Sequence, residues 1–159
     1  MTVNSTLEIQ RLSERSLSRM DELLDLFGEA FEDPATYGRA RPGRDYLSAL
    51  LAGESFIALA ALKEGRVVGG LAAYELKKFE QARSEIFIYD LAVAEAQRRQ
   101  GIATALIEAL KPIARARGAW VIVVLADRDD APAVAVYERL GRREEVLLFD
   151  IPLEESQQI

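Results

Sequence analysis

The stretch YDLAVAEAQRRQGIATAL, residues 89–106, carries one carboxylate on an apolar strand, then a basic turn, then a glycine that opens a helix. The first backbone N–H groups of a helix have no intrahelical partner and carry partial positive charge. Gly101 lets an anion approach that backbone, and Arg98 and Arg99 add full charges. Together these features suit a phosphate group. The segment fits neither the G-x-x-x-x-G-K-[ST] loop of nucleoside triphosphatases nor the G-x-G-x-x-G fingerprint of dinucleotide binders. On spacing alone it also fits solvated arginines beside a glycine that only starts a helix.

Asp90 is the second chemically telling residue. In an extended strand, residues 86, 88, 90 and 92 share one face, which sets this carboxylate beside Ile86, Ile88 and Ala92. Such burial is costly unless the group is paired or faces a polar cleft. It fits a functional carboxylate that faces such a cleft. It equally fits a satisfied structural aspartate, at a strand bulge for example. Asp127, Asp129 and Asp130 follow a later strand at its C-terminal end, where ligands bind in open sheets; one of them also suits a helix cap. Asp150 ends the last expected strand. With Asp90 and the 127–130 group it would line an anionic pocket suited to a polycation. Lys77 and Lys78 read as surface charges.

The chain contains no cysteine and no histidine. Disulfides, thiolate nucleophiles, cysteine zinc sites and Ser-His-Asp triads are thereby excluded. Acid–base work falls to Asp, Glu, Tyr, Lys, a terminus or water. Twenty Lys and Arg against 26 Asp and Glu give a net charge of −6, and the pI is about 4.9. That balance disfavours a general nucleic-acid binder and suits cationic partners. The N-terminal MTVNSTLEIQ lacks a basic and apolar leader, and no apolar run approaches a membrane span. The expected location is the cytoplasm.

The 159 residues suit one domain, 1–159, with a polar tail from about residue 154 that is expected to fray. Strands are expected at 7–12, 55–62, 67–76, 85–93, 119–126 and 145–150. Leu17, Met20, Leu24, Phe27 and Phe31 mark one face of a helix, with Ser16 or Ser18 as cap. Pro34, Gly38, Pro42 and Gly43 mark a loop, and a short helix at 46–51 ends at Gly53. A third helix runs from Ile102 to Gly118 and is expected to kink at Pro112; a fourth runs from Pro132 to Gly141. The strands at 85–93 and 119–126 read as buried. The fold class is α/β (α+β): a mixed sheet of about six strands, antiparallel then locally parallel, with about four helices.

Arg98-Arg99-Gln100-Gly101-Ile102-Ala103 resembles the R/Q-x-x-G-x-G/A signature of the GCN5-related N-acetyltransferase superfamily, which binds the pyrophosphate of acetyl-CoA. Asp90-Leu91-Ala92-Val93 is similar to the strand before that signature. Ala133, Tyr137 and Gly141 fall in register with the superfamily's N-x-x-A-x-x-x-Y-x-x-x-G helix, with Asp130 in place of the usual Asn. Across about residues 24–151, and most specifically through KFEQ, RSEI and IYDLAV, the chain resembles the aminoglycoside 3-N-acetyltransferases of the gentamicin-resistance type.

The resemblance implies acetyl transfer from acetyl-CoA to the 3-amino group of an aminoglycoside, by direct attack in a ternary complex and without a metal. It implies a cosubstrate site of Leu91, Ala92, Val93, Arg98, Arg99, Gln100, Gly101, Ile102, Ala103, Thr104, Asp130 and Tyr137. It implies Tyr137 as acid to the leaving thiolate and Asp90 at the amine; read from its spacing, Tyr137 is also an ordinary core aromatic. The acceptor set is Asp33, Tyr37, Asp90, Asp127 and Asp150; the Glu32–Tyr37 loop also fits a merely solvated loop. The implied partners are a small polycationic amine and a second copy of the chain, with no nucleic acid and no membrane. Two other functions fit the residues: acetylation of a different cationic amine, such as a polyamine or a peptide amine, and a silent acyl-CoA-binding module.

Overall fold

The computed structural model describes residues 6–155; the end of the polar tail, 156–159, lies outside them. Two compact units divide the chain after Ala126.

The larger unit is built on a five-stranded sheet in the order β1-β2-β3-β4-β5. The strands are β1 (Glu8–Arg11), β2 (Phe56–Lys63), β3 (Arg66–Lys77), β4 (Ser84–Val93) and β5 (Ala119–Val124). The first four pair antiparallel, and β5 joins β4 in parallel. The parallel joint needs a crossover, which the helix α3 (Ile102–Ala116) supplies. Helices α1 (Leu17–Ala30) and α2 (Arg44–Ala52) lie between β1 and β2 in the chain.

Two adjacent glycines of β3 show why helices cover both faces. A Cβ on Gly70 would stand 2.3 Å from Leu23 Cδ1 of α1 and 2.7 Å from the Leu59 carbonyl. A Cβ on Gly69 would stand 3.2 Å from Ile102 Cγ2 of α3. Successive strand residues face opposite sides, so α1 packs on one face and α3 on the other. The α1 face is paved with small residues, Ala58, Ala60, Ala72 and Ala92, against Met20, Leu23, Leu26 and Phe27. The opposite face is aliphatic: Ile57, Leu59, Leu71, Ile86 and Ile88 are fully buried, as are Leu106 and Leu110 of α3. Each such side chain contributes about 1.5–3 kcal/mol of burial.

Several expectations are corrected here. Ser16 stands at the N-cap of α1 but makes no side-chain cap bond; its hydroxyl accepts from the Ser13 N–H instead. The loop at 34–43 contains a five-residue π-helical turn, Ala35–Arg39. β5 is only half-buried, with Trp120 exposed, because it is an edge strand.

The smaller unit holds α4 (Ala131–Leu140). The expected strand at 145–150 is absent: the segment has no regular structure, and Val146, Leu147, Leu148 and Phe149 are exposed. Its apolar residues suit a strand, but a strand needs a ladder partner, and none is present among the described residues. Among the described residues the sheet therefore has five strands instead of about six.

Candidate functional site

The site begins with an irregularity in β4. Ala72 pairs with Asp90 while Ala73 pairs with Ile88, so Tyr89 is an extra residue in the ladder. This bulge reverses the alternation of faces. Ile86 and Ile88 face α3; Asp90 and Ala92 face α1. The expectation that residues 86, 88, 90 and 92 share one face is therefore corrected.

On the α1 face Asp90 meets the π-helical turn. The Tyr37 hydroxyl donates to Asp90 Oδ2 at 2.8 Å. The Tyr37 ring is held edge-on by Phe27, with centroids 6.0 Å apart, and packs on Phe31. Asp33 starts the turn, its Oδ1 accepting from the Thr36 N–H at 3.0 Å; that bond holds the Asp33 carboxyl below its ordinary pKa. Burial pushes the Asp90 pKa up, and the Tyr37 bond opposes it. Burial, then the bond to Asp90, drives the Tyr37 phenol well above its ordinary value. Tyr37 is thus a fixed donor and Asp90 a half-buried acceptor with a raised proton affinity. Tyr74 and Tyr89 stack edge to face nearby, centroids 6.1 Å apart.

The ladder to β5 ends at the same point of β4. Parallel pairing with β5 runs from Ser84 to Ile88 and stops there. Tyr89 to Val93 have no strand partner on that edge among the described residues. Leu91, Ala92 and Val93 pair with Leu71, Gly70 and Gly69 on the other side. A free edge of this kind offers backbone donors and acceptors to an extended, amide-bearing ligand.

The basic turn follows. Arg99 has φ of 64° and Gly101 has φ of 78°. This left-handed geometry is natural to glycine and strained for arginine. Gly101 is the N-cap of α3, which has no side-chain cap and no acidic residue in its first turn. The N-terminal N–H groups therefore face outward without an internal anion. A Cβ on Gly101 would meet nothing within 4 Å, so the approach is open. Arg98, Arg99 and Gln100 are exposed, Ile102 is buried, and Ala103 and Thr104 are intermediate. Arg98 Nε donates to the Val93 carbonyl at 3.3 Å. The donor set suits the diphosphate of a coenzyme A thioester. Lys63, absent from the sequence reading, donates to Gln97 Oε1 at 3.2 Å and also to Gln100 Oε1. No local pattern signals it, because its partners lie 34 and 37 residues away.

In the smaller unit, Asp130 Oδ1 caps α4 by accepting from the Ala133 N–H at 3.2 Å. The Asp127 carbonyl accepts from the Asp130 N–H in the same turn. Burial, and to a lesser degree Asp130, raises the Tyr137 phenol above its ordinary pKa. Asp127 and Asp150 are exposed, and Asp150 lies in the irregular segment. The structure thus joins Tyr37 with Asp90, and Asp127 with Asp130. Asp33 accepts a backbone bond within its own turn, through one carboxylate oxygen.

A mixed sheet with a bulged strand running into an uncapped helix has the features that the resemblance to N-acetyltransferases implies. Residues 20–141 match the Acetyltransferase (GNAT) family model, and the chain belongs to that family. It is similar to a solved aminoglycoside acetyltransferase, HMB0005, from an uncultured soil metagenomic sample. The two are 59% identical with a TM-score of 0.92, over 94% of this chain and 99% of that one. A second soil metagenomic aminoglycoside acetyltransferase, meta-AAC0020, was solved in complex with sisomicin. It is 32% identical with a TM-score of 0.86, over 93% of this chain and 97% of that one. Among curated proteins, N-acetyltransferase family 8 member 2 of Rattus norvegicus is 31% identical over 77 residues, 48% of this chain. The match spans about a third of that relative's length, 34%.

Proposed function

We propose that this acetyltransferase moves the acetyl group of acetyl-CoA to the 3-amino group of an aminoglycoside, by direct attack in a ternary complex. The observation that carries this reading is the Asp90–Tyr37 pair, 2.8 Å apart beside the bulge, on the open edge of β4. Similarity to HMB0005 and to the sisomicin-bound meta-AAC0020 supports an aminoglycoside as acceptor. The KFEQ, RSEI and IYDLAV stretches support the 3-amino position.

The cosubstrate supplies an activated thioester. Backbone N–H groups of Arg99 to Ala103, with the Arg98 and Arg99 side chains, hold its diphosphate, and the Leu91–Val93 edge aligns its amide-bearing arm. Asp90 binds the substrate ammonium and takes its proton, directly or through water. The free amine bonds to the thioester carbonyl carbon as the C–S bond breaks, Tyr137 gives the leaving sulfur a proton, and the proton shed by the new amide nitrogen passes through water and restores the Tyr137 phenol. Asp33, Tyr37, Asp127 and Asp150 bind the acceptor, and Asp130 completes the cosubstrate site. The protein works as one domain, since the matched residues 20–141 run across the boundary at Ala126. It acts in the cytoplasm as a homodimer.

The test is CoA release with gentamicin-type and kanamycin-type acceptors, with NMR mapping of the acetylated nitrogen. Acetylation at the 3-amino group is the expected result. Turnover confined to polyamines or peptide amines refutes the acceptor, and no turnover with any amine refutes catalysis.

A further inference from the structure

We infer that Arg41 is a positioning residue: it locks the π-helical turn that carries Tyr37, and through Tyr37 it sets the carboxylate of Asp90. The inference deepens the proposed function and rests on it for the role of Asp90.

The turn at Ala35–Arg39 contains no buried residue, and it meets the core through the Tyr37 ring, which packs on Phe27. A turn of this wide type is rare and weakly held by its own bonds. Arg41 supplies a further constraint. Its Nε and Nη2 both donate to the Tyr37 carbonyl, at 3.1 and 2.7 Å. Nη2 also donates to Asp25 Oδ1 at 2.6 Å, and Nη1 lies 4.0 Å from Asp21 Oδ1. Asp21 and Asp25 are one helical turn apart on α1, which is anchored in the core through Met20, Leu23, Leu26 and Phe27. A continuous path therefore runs from α1 through the guanidinium to the carbonyl of Tyr37, and from its hydroxyl to Asp90. The Arg41 side chain is 23% exposed, so solvent screens these bonds only in part. The planar fork of arginine fits two acceptors at once, which an ammonium on a flexible stem does not reproduce. The other ionisable groups facing the Tyr37–Asp90 pair are Asp33, Tyr74 and Tyr89, and every variant below retains them.

The test compares Arg41→Ala, Arg41→Lys, Asp25→Asn, Tyr37→Phe and the Arg41→Ala/Tyr37→Phe double variant. Two readouts apply: acceptor kinetics against pH, and the 13C resonance of the Asp90 carboxyl titrated without acceptor. Arg41→Ala should lower acceptor kcat/KM by about 10- to 100-fold, as loss of a charge-assisted hydrogen bond does, with acetyl-CoA affinity unchanged. The Asp90 midpoint should move up, because burial then acts with less opposition from Tyr37. Tyr37→Phe should do the same, and the double variant should be no worse than Tyr37→Phe alone. Arg41→Lys should recover part of the loss. Asp25→Asn leaves Arg41 in place and loosens its anchor, so it gives a smaller shift in the same direction even if Arg41→Ala folds poorly.

Additive losses in the double variant would overturn the inference. So would a lowered Tm with parental acceptor kinetics and a parental Asp90 titration. If the parent turns over no aminoglycoside, the acceptor reading falls, and the carboxyl titration still decides for or against the Arg41 path.

Discussion

Replacing Asp90 by Asn separates a catalytic carboxylate from a structural one. The side chains are nearly isosteric, and the amide oxygen still accepts from the Tyr37 hydroxyl, which now donates to Asp90 at 2.8 Å. The change removes the charge and the proton acceptor. An ammonium about 4 Å from a carboxylate gains about 4 kcal/mol at an effective dielectric of about 20. Losing that attraction costs about 10³-fold in binding the amine's transition state. A lost proton acceptor is worth about 10²–10⁴-fold by itself, and the two effects overlap because one group serves both. Acceptor kcat/KM should therefore fall by about 10³- to 10⁴-fold, with kcat and KM both damaged and acetyl-CoA affinity retained.

Stability should move the other way. The folded pKa of Asp90 is raised, chiefly by burial. Between the unfolded and folded pKa values the native state holds the extra proton, so stability declines as pH rises through that window. At neutral pH the charge is a net cost, and Asn should leave Tm unchanged or slightly higher. The parent's acceptor kcat/KM should also drop as pH falls through this raised pKa, whereas the Asn variant should lack that limb. Differential scanning calorimetry, acetyl-CoA titration and pH-resolved kinetics measure all three. A lowered Tm with parental acceptor kinetics would refute the reasoning and make Asp90 a structural residue.

Three other outcomes follow from the proposed function. Gly101→Ala places a side chain at φ of 78°, so it should cost about 1–2 kcal/mol of stability; calorimetry should also show acetyl-CoA affinity reduced about tenfold or more, and unchanged affinity would remove the helix N-terminus from the cosubstrate site. Tyr137→Phe should lower kcat by about 10²–10⁴-fold with Tm nearly unchanged, read by steady-state kinetics and thermal melting; a variant with parental turnover makes Tyr137 a packing residue. Acceptor kcat/KM should fall as salt shortens the electrostatic reach to about 10 Å at 0.1 M, with a shallower slope in Asp127→Asn and Asp150→Asn; equal slopes would rule out steering by those carboxylates.

What the sequence reveals of this protein is what local residues decide. The α1 face from Leu17 to Phe27, the glycine opening α3 and the Asp130 cap of α4 each depend on neighbours within a few positions. Arg41 and Lys63 act on partners far along the chain or on a backbone carbonyl, where residue type gives no pattern. The run at 145–150 shows the converse. Its composition favours a strand, but pairing belongs to the tertiary structure, and a strand without a neighbour leaves its backbone groups to water.

The face of Asp90 is the instructive case. Had β4 continued in register after Ile88, Asp90 would oppose Leu71 on the α3 side, beside the fully buried Leu59. A carboxylate there has no donor among aliphatic neighbours, and its burial would cost several kcal/mol. One extra residue, Tyr89, turns Asp90 to the α1 side, where the Tyr37 hydroxyl meets it. The bulge also coincides with the end of the β4–β5 ladder. A single register shift thus aims the carboxylate and frees the adjoining strand edge. In the proposed mechanism the base and the edge that aligns the donor share that one cause. Since the shift depends on how β3 and β4 pair, it had to be read from the fold.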